Sequence, residues 1–171
     1  MKHLQTLLAV IAGLALASRR FLFGDDRLIA SNTNPDNVGT HAGTVSRLPD
    51  AAIATRNLLH KVGSDANHSV VCGANAVPLG TIADEATAAD VTAADVYVTV
   101  NLLGKGDTKR MVASEAISAG VLVFTAASGK VSLLSASAGT YYCVGTALTA
   151  ASADGDLIEV ADCSPIKTVV A

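Results

Sequence analysis

Apolar and polar positions along the chain fall into three regimes. From Leu4 to Ala17 nearly every position is apolar, which predicts a short helix without a polar face; such a helix is stable only when covered on nearly all sides. From residue 18 to 56 the order breaks into turn formers: Gly24, Asp25-Asp26, Ser31 to Asn37, Gly39, Gly43 and Pro49-Asp50. This predicts an extended arm lying on a partner, because a structureless loop of that length is improbable inside a compact domain. Ala51 to Leu59 has room for a helical turn or two.

From about Asn57 the pattern changes to short runs of Val, Leu, Ile, Thr and Tyr separated by Gly, Asp, Asn and Ala. Strands are predicted at Leu58 to Val62, Ser69 to Cys72, Leu79 to Ala83, Val96 to Leu103, Lys109 to Ala113, Val121 to Thr125, Val131 to Leu134, Tyr141 to Leu148 and Leu157 to Val160. Ala126 to Lys130 reads as a hairpin turn with Gly129 at positive φ. So many short strands predict an all-β fold, a small barrel or sandwich over residues 57 to 171 carrying the extended N-terminal arm over residues 1 to 56. The phrase Leu79-Gly80-Thr81-Ile82-Ala83 is echoed by Val144-Gly145-Thr146-Ala147-Leu148, each followed by a small-residue stretch and another strand. The echo raises the expectation of two related halves; chance similarity in Ala-rich sequence is the alternative.

Composition adds that the surface is poorly charged. Only 16% of the 171 residues are Asp, Glu, Lys or Arg, and with three Phe and no Trp the core must be aliphatic. The net charge of −3 is unevenly divided: residues 1 to 61 carry seven basic and four acidic groups, and residues 62 to 171 carry five and eleven. The chain thus has a basic front on an acidic body, and its pI near 5.7 argues against a general nucleic-acid binder. The apolar run Leu7 to Ala17 is too short to span a bilayer, which needs about 20 residues, so no membrane partner is expected. The same run, with Ala15-Leu16-Ala17 behind it, has the form of a secretory signal. The preferred reading keeps the segment and packs it against other chains. Leu7, Leu8, Ile11 and Leu14 then supply apolar contact. Arg19, Arg20, Phe21, Phe23 and Arg27 supply the guanidinium and aromatic anchors that dominate interfaces.

Candidate chemistry is sparse. Cys72, Cys143 and Cys163 are odd in number and widely spaced, which predicts free thiols. His60, His68 and Cys72 lack a fourth zinc ligand. Asp84-Glu85 with Asp90 and Asp95, and Asp154 with Asp156, lack the spacing of a calcium loop. Ser114-Glu115, Ser128-Gly129-Lys130 and Gly104-Lys105-Gly106-Asp107 match neither a phosphate loop nor a nucleophile elbow. The residues predict no enzyme, cofactor or metal.

The run Ala113 to Val123, then Ala127-Ser128-Gly129-Lys130-Val131, Gly139-Thr140-Tyr141-Tyr142, Val144 to Leu148 and Asp154 to Val160 resembles the small β-barrel capsid decoration, or cement, proteins of tailed bacteriophages. The resemblance covers roughly residues 57 to 171; the arm before them is longer and more apolar than it implies. It implies a structural protein on the outside of the virion, bound to the major capsid protein and to itself, commonly as trimers, that reinforces the shell without touching DNA. An exported bacterial surface or envelope protein with an N-terminal signal is the alternative.

Overall fold

The structure, a computed structural model, describes residues 43–104 and 106–171. The expected helix over residues 4–17 and most of the expected arm lie outside the described residues. Within them the chain is all-β, as expected, but its strands form two rings.

The first ring is closed in the order β1-β3-β2-β4-β5, from β1 (Thr44–Pro49), β2 (Leu59–Val62), β3 (His68–Val71), β4 (Gly80–Ile82) and β5 (Val98–Leu102). Strand β1 runs parallel to β3, and every other pairing is antiparallel. The alternation of β5 explains its place: Val98 and Val100 turn inward with Val45 and Ile82, while Thr99 points out. Helix α1 (Ala88–Ala93) is a short excursion between β4 and β5, started by a reciprocal Thr87–Asp90 capping box and buried nowhere.

The second ring follows from β6 (Lys109–Val112), β7 (Leu122–Thr125), β8 (Val131–Ser132), β9 (Gly139–Ala147) and β10 (Leu157–Ala161). Their order is β6-β10-β9-β7-β8, and the parallel bridge Ala113–Val131 joins the two ends. Read from β6 through that bridge, the order is β6-β8-β7-β9-β10, the order of the first ring, with the same single parallel link. The correspondence reaches individual atoms. Antiparallel bridges Ile53–Ala86 and Ile117–Ala151 occupy matching places. Asn57 and Gly120, both at positive φ, donate their N–H groups to Ile82 and Ala147. The side chain of Asp84 accepts from Thr99 N at 2.7 Å, and that of Thr149 from Glu159 N at 2.9 Å.

The echoed phrase marks one place in both rings. A methyl group on Gly80 would lie 2.2 Å from Asn101 O, and one on Gly145 would lie 2.2 Å from Ala161 O, so neither strand crossing tolerates a side chain. The echo therefore joins a closed barrel and a second sheet of the same strand order whose ends meet at one bridge, where the sequence suggested two halves of one barrel.

All nine predicted strands form, each within two residues of its expected ends. Three elements differ from expectation. Strand β1 lies inside the segment assigned to the arm, and the barrel starts at Thr44, well before Asn57. No helical turn forms over Ala51–Leu59; Ile53 makes its bridge there and the chain continues as bends and turns. Strand β11 (Ile166–Val170) pairs with Gly139–Cys143 of β9 beyond the second ring.

Candidate interaction surface

Each barrel has its own apolar interior, but two residues of the first are buried with the core of the second. Leu59 and Cys72, at 0% and 1% exposure, cluster with Met111, Val123, Val144 and Ile158. Burial of a leucine on this scale stabilises by roughly 1.5–3 kcal/mol. The β7–β8 turn seats on the same place. Ser128 and Gly129 stand at φ 58° and 72°, the geometry of a type I′ hairpin turn, and Gly129 supplies the positive φ its sequence predicts. Gly129 N–H donates to Cys72 O at 2.8 Å, and the Thr125 hydroxyl donates to Ala74 O. The approach is so close that a methyl on Gly129 would lie 2.7 Å from Leu59 O. A small, pre-shaped turn thus fills an apolar seat on the neighbouring barrel.

The matching seat on the second barrel is open. By strand register Leu122 stands where Leu59 does, opposite Thr146 as Leu59 is opposite Thr81. Leu133 and Leu134 stand where Val71 and Cys72 do, since Ser132 faces Phe124 as Val70 faces Lys61. These three leucines are 55%, 41% and 44% exposed. Ile166 and Val169 on β11 are more exposed still, and a shallow groove of about 390 Å³ lies along Lys61, Val62 and Ala76 to Leu79.

The anchors expected in the arm, Leu7, Leu8, Ile11, Leu14, Arg19, Arg20, Phe21, Phe23 and Arg27, lie outside the described residues. The chemical candidates are placed apart. His60 points into the first barrel with Val71 opposite it, so Cys72, one residue on, belongs to the other face. His68 lies 2.8 Å from Asp65, whose carboxyl it holds below its ordinary range. Burial pushes the Cys72 thiol up to about 11, leaving it a poor nucleophile, and raises Cys163 as well.

The carboxylates are committed to separate local tasks. Glu85 pairs with Arg56 at 3.3 Å, and Asp90 caps α1. Asp154 meets Lys130, and Asp156 accepts from Ser152 and Ala153 in the β9–β10 connection, bonds that lower its pKa. Glu115 accepts from Leu133 N, and Ser114 donates to Val131 O. No group of three or more His, Cys, Asp or Glu side chains able to hold a metal occurs among the described residues.

One feature escaped the sequence reading. Arg47 Nε, both ring nitrogens of His60 and Ser69 Oγ are buried without a hydrogen-bond partner, and all belong to residues on the inward face of the first barrel. In the second barrel the same positions hold Met111, Val123 and Val131, each fully buried. Burial holds the His60 imidazole down at about 4, so it is neutral inside the barrel near neutral pH. The sequence signal was a duplication that, once aligned, sets polar residues against apolar ones.

No family model matches this chain, and no curated protein matches it.

Proposed function

We propose that this chain is a capsid decoration protein that binds the outer surface of a phage head, bridges its major capsid subunits and associates with its own copies. The observation that carries the reading is that the phrases behind the resemblance, from Ala113 to Val160, are the strands and turns of one small ring closed by a single bridge, and that its strand order repeats that of the closed barrel before it. The sparse charge and the open leucine seat support it further, because such a surface gains by burial at roughly 25 cal/mol per Å² of apolar area. The division of charge suits attachment: the basic front is drawn to an acidic shell while the acidic body stays soluble. An arm and a barrel that grip different capsomers make the second contact intramolecular, so weak contacts hold firmly.

Fractionating cells that make the native chain tests this. Co-sedimentation with icosahedral particles in a fixed ratio to the shell protein, with an intact N-terminus by mass spectrometry, is the expected result. Recovery from the envelope or medium with Ser18 as the first residue would overturn it in favour of an exported protein.

A further inference from the structure

We propose that copies of this chain join head to tail, the β2–β3 turn of one copy seating on the Leu122, Leu133 and Leu134 face of the next. The two units of one chain already meet in this way. There the β7–β8 turn of the second barrel occupies the seat on the first barrel formed by Leu59, Cys72 and Ala74. That contact is heterologous, a turn on one unit into a seat on the other. Because the two units share one topology, it leaves one turn and one seat at corresponding places unused, the turn being one residue longer and without the positive φ of Ser128 and Gly129. The unused turn is Ser64–Asn67 of the first barrel, closed by Gly63 N–H to His68 O as the β7–β8 turn is closed by Ala126 N–H to Lys130 O. The unused seat is the exposed leucine face of the second barrel.

The differences between used and unused parts favour the docking. In the used seat Leu59 is 0% exposed, and its counterpart Leu122 is 55% exposed, an apolar side chain with nothing over it among the described residues. Thr125, which donates to Ala74 O at the internal junction, corresponds to Val62, 48% exposed; across copies Val62 would meet Ala136, apolar on apolar. The free turn is already fixed in shape. Asp50 accepts from Ser64 N and Oγ at 2.6 and 2.8 Å, and Asp65 holds His68. A preorganised turn loses little entropy on docking. Contacts of this kind close into a ring or run on as a filament, since each copy offers one turn and one seat.

Two exposed-site variants of the full chain test the proposal in solution, without any shell, so its failure is distinct from failure of the decoration reading. Leu134→Arg disables the seat and Val62→Arg disables the turn, and unchanged thermal unfolding confirms that both fold. By sedimentation velocity at about 100 μM, wild type is larger than a monomer, and each variant alone associates at least tenfold more weakly. An equimolar mixture forms a one-to-one dimer and nothing larger, because only one intact turn and one intact seat remain to meet. A monomeric wild type, a mixture that stays monomeric, or variants that assemble like wild type would each overturn the proposal, the last by assigning association to another surface.

Discussion

His60 sits on the inward face of the first barrel with neither ring nitrogen satisfied, so the desolvation cost of its burial is not offset by hydrogen bonds. Its pKa is lowered on folding, from 6.5 to about 4. The unfolded chain therefore binds the proton more readily between those values. Stability should be full above about pH 6.5, fall as pH drops through the window, and level off below about 4, by about 3 kcal/mol in all at about 1.36 kcal/mol per unit. His60→Leu should remove most of this slope and leave stability at pH 7 equal or higher; urea unfolding at pH 7 and 4.5 measures both. Gly129 gives the complementary test. Gly129→Ala puts a methyl against Leu59 O at positive φ and should cost about 2–4 kcal/mol in chemical denaturation. Gly155→Ala, at φ 91° with nothing within 4 Å, meets only the backbone strain and should cost about 1 kcal/mol.

At the scale of elements, β11 stands outside both rings. It pairs only with Gly139–Cys143 of β9, so neither barrel needs it for closure. Removing residues 165–171 should leave a cooperative fold and strip hydrogen-exchange protection from Tyr141, while sparing Tyr142, whose N–H donates to Thr125, and Val144–Ala147; loss of protection throughout β9 would contradict this. Strands with clean alternation, such as β5 and β10, were legible because one face of each meets a core. β1 was hidden because its inward positions include Arg47 and its end is Pro49, which breaks the apolar alternation and mimics a loop. β11 carried its own signal in the β-branched run Ile166 to Val170 after Pro165. Helix α1 lay under an Ala-rich stretch whose Thr87 and Asp90 spelled a capping box. The β7–β8 turn was legible from Gly129, but the seat it fills was not, since burial of Leu59 depends on what the second sheet covers.

For the whole molecule the decoration reading makes the N-terminal segment a tether to the shell. Deleting residues 1–24 should reduce occupancy on particles sharply while leaving the thermal unfolding of residues 43–171 unchanged. Unchanged occupancy, counted by mass spectrometry of purified heads, would assign attachment to the barrels alone. The repeated ring also carries a hazard during synthesis. Every strand of one ring has a counterpart in the other, so a nascent second ring can recruit a first-ring strand and close around the wrong neighbour. Arg47, His60 and Ser69 work against such exchange: in the first ring they share one inward seam, whereas slotted singly among Ile158, Val160 and Val144 each would stand alone in an aliphatic wall. The lone polar seam inside one ring thereby labels its strands, and a chain in which that seam is made aliphatic should refold from urea in lower yield even where its native state is firmer.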